Sequence, residues 1–399
     1  MGYNKPRLFG GGRKAKNGAS ERKRMNTKMN IQTHNSVLRV DLAALRENLR
    51  AILQSLEGAQ LIPVLKDDAY GLGAVQVAAE LCRFPEIRLL AVAHVSEGLA
   101  LRASGVDREI LVMGGALPFQ MESAVRADLT LACGRLGFAR ELAETARGCG
   151  KRAKLQLKID TGLHRIGIEP HELADWIAEY RAAEDALELT GVFSHFSDAE
   201  NLSLDEREFA LFERVLDELK TAGIPIPLRH ISCSAASELF PQFRLDAVRC
   251  GRRLYMDRTR RALGNIWEVA GFYSYITQVR ERRAGDTLGY GGAVRLEKDS
   301  RIATVGVGYG DGLNQALFRV GAPVLLGGKR CRMLACCMDQ CMLDVSGVDC
   351  AVGDEVTFFG NDAAGNFLSS QEVAALIGGD EGCGLTAALS PRVARVYCE

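Results

Sequence analysis

Lys66 ends an apolar run of strand length, residues 61–65, and Tyr70 follows four residues later, just ahead of Gly71 and Gly73. An amine at the carboxyl end of a strand, followed by a glycine-softened turn, is placed to carry chemistry. A phenol beside that turn is suited to gripping an anion such as phosphate. Four more polar residues, Lys158, His195, Ser234 and Arg249, stand at or just after the ends of later apolar runs. Parallel barrels present their functional groups at that end of the strands, so five such residues at one rim make a site. Each also has a plainer reading: Lys66 as a solvated lysine, His195 as a satisfied core histidine, Ser234 as a helix N-cap, Arg249 as part of a surface basic patch with Arg252 and Arg253. In the run Lys158-Ile-Asp-Thr-Gly-Leu-His-Arg165, a lysine, an aspartate and an arginine fall within eight residues. Burying them costs several kcal/mol unless they pair, which leaves a functional cluster or a structural ion-pair network.

The elements that must position these groups follow from periodicity. Asp41 is placed to cap a helix in which Leu42, Leu45, Leu49, Ile52, Leu53 and Leu56 recur at helical spacing. After the lysine strand, short apolar runs alternate with amphipathic stretches: 89–93 then 97–104, 110–113 then 119–127, 129–133 then 138–146. The pattern continues with 155–159 and a helix after Pro170, 187–193 and a long helix over 205–222, and two shorter runs near Ile231 and Val248. Roughly eight strand–helix units predict a parallel (β/α)8 barrel over residues 37–264. A doubly wound open sheet fits the alternation, but no Gly-x-Gly-x-x-Gly turn follows the first strand. Beyond residue 264 the segments are short, rich in β-branched and aromatic residues, and divided by Gly-Asp or Gly-Gly turns, predicting a mostly β domain over 265–399. There, Gly285-Asp-Thr-Leu-Gly-Tyr290-Gly-Gly reads by itself as a hairpin end.

Composition narrows the function classes. The chain has 399 residues and no net charge, but its first thirty residues hold nine Lys or Arg against the single Glu21. A basic tail over 1–36, poor in large apolar residues, is predicted to be disordered, and it lacks the apolar centre of a secretion signal. The remainder therefore carries the opposite balance, which argues against nucleic acid as the main partner. No apolar run reaches the ~20 residues that a membrane span needs. The twelve cysteines are scattered without metal-ligand spacing, so a reduced cytoplasmic compartment and no metal are expected.

Residues 61–74, Leu-Ile-Pro-Val-Leu-Lys66-Asp-Asp-Ala-Tyr70-Gly-Leu-Gly-Ala, resemble the lysine motif of the alanine racemase family, two-domain amino-acid racemases that use pyridoxal 5'-phosphate. That family usually shows Ala-Asn where Asp67-Asp68 stand. The run from Lys158 to Arg165 resembles a second of its motifs, and Val-Phe-Ser-His195-Phe-Ser-Asp a third. His230-Ile-Ser-Cys-Ser234-Ala-Ala resembles its phosphate-binding serine turn, with Cys233 where Asn is common. The arginine stretch 246–255 and the tyrosine turn 285–292 match further. So do Gly308-Tyr309-Gly-Asp311-Gly312, Cys337-Met338-Asp339-Gln340 and Arg392-Val-Ala-Arg-Val-Tyr. The resemblance runs from about Val37 to the end of the chain.

What the resemblance implies is specific. Lys66 would hold pyridoxal phosphate as an imine, with Tyr70, Ser234, Gly251 and Arg252 at the phosphate and His195 against the ring. Arg165, and Met338 through its backbone, would hold the substrate carboxylate. Lys158 would be a candidate for carbamylation, which turns a cation that repels Arg165 into an anion that fixes it. Arg249 would meet the pyridine nitrogen, where a guanidinium keeps that nitrogen unprotonated and favours simple reprotonation over transamination. Racemisation needs a proton removed from one face of Cα and returned to the other, so Lys66 and Tyr290 would be the two bases, Tyr290 reaching in from the other chain of a homodimer. The implied activity is the interconversion of L- and D-alanine, supplying D-alanine for peptidoglycan. The alternatives are a racemase for another amino acid such as serine, a decarboxylase of the same fold, and a non-catalytic pyridoxal phosphate binding protein. A decarboxylase would be expected to carry an acid where Arg249 stands, and a lone-barrel carrier would lack residues 265–399. Three positions that line the family's substrate entrance differ here: Gln315 and Ala335 replace arginines, and Pro391 replaces a tyrosine. Those losses widen or neutralise the mouth.

Overall fold

The computed structural model describes residues 33–256, 267–379 and 382–399. Most of the expected basic tail, and the expected junction at residue 264, lie outside the described residues.

The first strand, β1 (Ser36–Asp41), leads directly into the expected helix, Leu42–Ser55, whose N-cap Asp41 accepts the Ala44 N–H at 2.9 Å. Eight strands then form the barrel: β2 (Gln60–Pro63), β3 (Leu89–Val92), β4 (Glu109–Val112), β5 (Thr130–Cys133), β6 (Ala153–Lys158), β7 (Leu187–Phe193), β8 (Arg229–His230) and β9 (Ala247–Cys250). Strands β3 to β8 form one sheet in sequence order, and β2 pairs with β9. Parallel bridges Val64–Ala91 and Cys233–Arg249 close the ring. Strand β3 is apolar throughout because both its faces are covered: all four of its residues are buried. Outer helices turn one stripe inward, as Phe138–Gly148 does with Phe138, Leu142, Ala143 and Ala146. Among the described residues no helix is long and apolar enough to cross a membrane, and no group of His, Cys, Asp or Glu is arranged to hold a metal ion.

The chain departs from expectation just where the lysine stands. Strand β2 stops at Pro63, and Asp67, Asp68, Ala69 and Tyr70 all take positive φ, between 52° and 58°. A left-handed turn costs about 1–2 kcal/mol per L-residue, so contacts must impose it. The Glu97 carboxylate accepts Asp67 N at 2.6 Å as well as Ala93 N and His94 N at the end of β3, and Asp68 Oδ1 accepts Ala74 N at 2.7 Å. The helix expected at Gly71 therefore starts later, at Ala74–Leu81. At Gly71 (φ 83°) a Cβ would lie 2.1 Å from the Thr386 carbonyl oxygen, so this turn also receives the C-terminal segment.

The second part is a largely antiparallel nine-stranded sheet around β10 (Ala270–Arg282), β13 (Ser300–Val305), β14 (Pro323–Leu326), β15 (Lys329–Cys336), β16 (Cys341–Asp344), β17 (Glu355–Asn361), β18 (Phe367–Leu368) and β19 (Ala394–Cys398). Its order is β18-β17-β14-β15-β16-β13-β10-β1-β19, and β17 also pairs with β10. Strand β1 is thus a member of this sheet, antiparallel to β10 and parallel to β19. No local pattern predicted that pairing, because its partners lie more than two hundred residues away. One continuous core joins both parts, passing from Leu45 and Leu49 through Leu38 and Val40 to Phe272 and Phe358.

Candidate active site

Lys66, Tyr70, Lys158, Arg165, His195, Ser234, Arg249, Gly251 and Arg252 all line one cavity of about 800 Å³ at the carboxyl ends of the barrel strands. This is the rim on which the sequence placed them.

Arg249 is the fixed centre. It is 4% exposed, at the third residue of β9. Its Nη2 donates to the carbonyls of Ser194 (2.7 Å) and Ile231 (2.8 Å) and to His195 Nδ1 (2.9 Å), and its Nη1 to His230 Nδ1 (2.5 Å). These partners are carbonyl oxygens and imidazole lone pairs, none of them a carboxylate, so the positive charge is oriented but not neutralised. The surface-patch reading of Arg249 is overturned by this burial. Burial lowers the guanidinium to about 10, which leaves it cationic at neutral pH. Burial and Arg249 in turn push both His195 and His230 well below the ordinary imidazole value, so each is a neutral acceptor.

Lys158 ends β6 and is 3% exposed, its Nζ 3.3 Å from the Ile159 carbonyl oxygen and 5.4 Å from the centre of the Phe193 ring. Burial, then Arg249, with Arg165 adding, pushes its amine down to about 7. Of the three charged residues in this run, Lys158 and Asp160 are buried and Arg165 is exposed at the cavity wall. The ion-pair network weighed from sequence does not form. Asp160 instead accepts the backbone N–H groups of Gly162, His164 and Arg165, setting the loop that carries Arg165 to the cavity.

An anion cradle lies on the other side. The Tyr70 ring packs on Tyr255 at 5.4 Å, and burial holds its phenol above the ordinary value, as a neutral donor. A Cβ on Gly251 would lie 2.1 Å from the Tyr70 hydroxyl, so glycine there is what brings that donor onto the backbone ahead of Arg252. Ser234 opens the short helix Ser234–Leu239, with its hydroxyl 3.5 Å from Cys250 Sγ. A phenol, a hydroxyl and backbone N–H groups around a space cleared by a glycine fit a phosphate, and an amine and the Arg249 guanidinium, which has no carboxylate partner, fit an aldehyde and a pyridine nitrogen in the same cavity.

Tyr290 and Met338 are not brought to this cavity. Tyr290, 81% exposed, sits in a turn between β11 (Thr287–Leu288) and β12 (Val294–Arg295), so the hairpin-end reading describes its local structure. It lines a separate cavity of about 840 Å³, shared with Gln315 and Ala335. Pro391 lies elsewhere, in a groove with Asp67, Asp68 and Gly71. Met338, 52% exposed, tips the hairpin between β15 and β16, where its carbonyl oxygen accepts Gly310 N at 2.9 Å. The 308–312 motif packs under this hairpin: a Cβ on Gly308 would come within 2.4 Å of the Met338 carbonyl oxygen. Arg392 ties the two together, 2.7 Å from Asp339 and 3.3 Å from Asp311.

Two residues escaped the sequence reading. Glu97 organises the Lys66 turn, and its only sequence signal is a capping-box position three residues after His94. His230 was part of a quoted motif but had no role assigned.

Known proteins show the same two-part organisation. Residues 40–259 match the family model for the N-terminal domain of alanine racemase, and residues 269–397 the model for its C-terminal domain. The chain is 32% identical to the alanine racemase of Clostridium tetani, over 90% of this chain and 94% of that one. It is 35% identical to that of Desulforamulus reducens, over 85% and 92%. Among solved structures, an alanine racemase from Clostridium difficile superposes with a TM-score of 0.85 at 30% identity, covering 92% of this chain and 96% of that one. An alanine racemase from Bacillus anthracis with bound L-Ala-P superposes with a TM-score of 0.85 at 27% identity, covering 92% and 95%.

Proposed function

Because this chain belongs to the alanine racemase family, we propose that it interconverts L- and D-alanine, using pyridoxal 5'-phosphate held in the Lys66 cavity. The observation that carries this reading is the meeting of Lys66, Tyr70, Ser234 and a carboxylate-free Arg249 in one cavity. When bound, the cofactor supplies an electron sink that acidifies the Cα proton of an attached amino acid.

The protein's own residues do the rest. Tyr70, Ser234 and the backbone at Gly251 and Arg252 hold the phosphate. Arg249 would donate to the ring nitrogen, and its cation would oppose protonation there. That would weaken the electron sink and favour reprotonation at Cα. His195 would lie against the ring, and Arg165 would hold the substrate carboxylate, with Lys158 as the group that would steady Arg165 once carbamylated. An amine pushed down to about 7 is largely uncharged at slightly alkaline pH, the form that reacts with carbon dioxide. The Lys66 amine takes or returns the Cα proton on one face.

The opposite face needs a second base, and within one chain Tyr290 lines a different cavity. Its exposure, and that of Met338, fits a homodimer in which each chain lends both residues to the other's site. Cytoplasmic D-alanine supply to cell-wall synthesis is the role this activity serves. Gln315 and Ala335 put no charge beside Tyr290, and this difference from the family's arginines is the reason to test amino acids other than alanine.

The test is incubation with L-alanine in deuterated water. Formation of D-alanine carrying deuterium at Cα is expected; carbon dioxide release, or no exchange, would sink the proposal. A panel of other L-amino acids in the same assay sets the substrate range.

A further inference from the structure

We propose that Gln156 is a positioning residue of this site: it fixes His230 as the Nε2–H tautomer and, through that ring, aims the Arg249 guanidinium into the Lys66 cavity. The inference rests on the role given to Arg249 above.

Gln156 lies within β6, two residues before Lys158, and is fully buried. Its Oε1 is 2.8 Å from His230 Nε2, and the other ring nitrogen, Nδ1, is 2.5 Å from Arg249 Nη1. A guanidinium has donors only, so Nδ1 must accept. The ring is neutral, because burial and Arg249 both oppose a charge on it, so its single proton sits on Nε2. That proton needs an acceptor, and Gln156 Oε1 is the atom that faces it. The amide orientation is therefore dictated by the cation two links away; turned round, it would set donor against donor.

The choice leaves a mark. Gln156 Nε2 is buried with no hydrogen-bond partner, an arrangement a residue serving only to pack would not need. The neighbouring strand makes room for it: a Cβ on Gly191 would lie 3.1 Å from both the amide carbon and Nε2. Phe193 stacks on His230 at 4.9 Å and 9°, so the ring plane is held and only its proton remains to be placed. An amide does this without adding charge. A carboxylate at 156 would offer the same acceptor but bring a countercharge to Arg249 through the ring. Glutamine keeps the relay aligned and leaves the cation facing the cavity undiminished.

The measurement is nitrogen NMR of the full chain labelled at its six histidines, with and without pyridoxal phosphate, the His230 signal being assigned by its loss in His230→Asn. The expected wild-type ring is protonated at Nε2 and bare at Nδ1, with no titration between about pH 5.5 and 8.5. Gln156→Leu is expected to lose that signature and to lower turnover about tenfold, with KM for alanine within about twofold. Gln156→Glu is expected to keep the Nε2–H signature. A Gln156→Leu protein with an unchanged ring signal and unchanged turnover overturns the proposal. If that variant does not fold, the wild-type spectrum still decides, since a His230 ring protonated at Nδ1, or charged, overturns it equally. Wild-type protein that shows the tautomer but racemises nothing would defeat the functional reading while leaving this one standing.

Discussion

Arg249 and Tyr290 carry the two ends of the proposed chemistry, and their surroundings are opposite. Arg249 is buried in β9 and held by three carbonyls and two imidazoles that its own barrel supplies. Tyr290 stands on a glycine turn, exposed, in a cavity with no share in the first. The difference separates two kinds of preparation. A group that tunes a cofactor must not move, and a packed strand end with a hydrogen-bond relay makes it rigid before anything binds. A base that approaches from the far face can be presented on a hairpin, provided another surface completes its environment.

The largest test of this contrast removes the amine on the barrel side. Lys66→Ala is expected to abolish borohydride trapping of pyridoxal phosphate and to cut racemisation by at least 10²- to 10⁴-fold, the usual worth of a positioned base. Tyr290→Phe is expected to lose a similar factor while keeping the cofactor's visible absorbance. Mixing the two inactive variants sharpens the comparison, because a mixed dimer holds one site with both residues intact. Randomly exchanged chains should then recover about a quarter of wild-type activity. No recovery would place both bases in one chain.

Lys158 comes next. Its amine ionises at about 7 in the fold against the usual higher value, so the unfolded chain binds more protons through the alkaline range and stability rises with pH from about 7 upward. Added bicarbonate at pH 8 is expected to add the mass of carbon dioxide to this residue. Lys158→Ala should raise KM for alanine roughly tenfold with little change in absorbance, about the worth of one hydrogen bond to a charged group. An unmodified Lys158 in a fully active enzyme would end that role.

The smallest effect lies behind the site. Asp205, buried in the long helix Leu202–Thr221, has neither carboxyl oxygen hydrogen-bonded, and burial, then Glu208 and Asp198, push it up to about 7. A raised carboxyl contributes stability that is fully present below its unfolded value of ~4 and lost as pH rises through 7. Asp205→Asn should therefore stabilise the protein by about 1–2 kcal/mol at pH 8 and hardly at pH 4, measured by urea unfolding. Equal effects at both pH values would show that charge is not the cause.

Much of the molecule was legible in one dimension. Alternating apolar and amphipathic runs identify parallel strands with outer helices, because a strand covered on both faces is built mostly from apolar residues, and runs that end in Lys66, Lys158, His195, Ser234 and Arg249 mark the rim. The left-handed turn after Lys66 was not legible: Asp-Asp-Ala-Tyr has no glycine at the positive-φ positions, and Glu97, thirty residues on, imposes the conformation. Nor was the place of β1 in the second sheet, which depends on partners at both ends of the chain.

Residue type and local period thus determined which groups are available and at which end of which strand they emerge. Tertiary structure decided what each group is: that Arg249 is buried beside neutral acceptors rather than solvated, that Lys158 is an amine near neutrality rather than an ordinary cation, and that Tyr290 lies outside the cavity it is proposed to serve. The reason is physical. Charge state and orientation depend on desolvation and on partners brought together by folding, and neither is a property of a residue and its near neighbours in sequence.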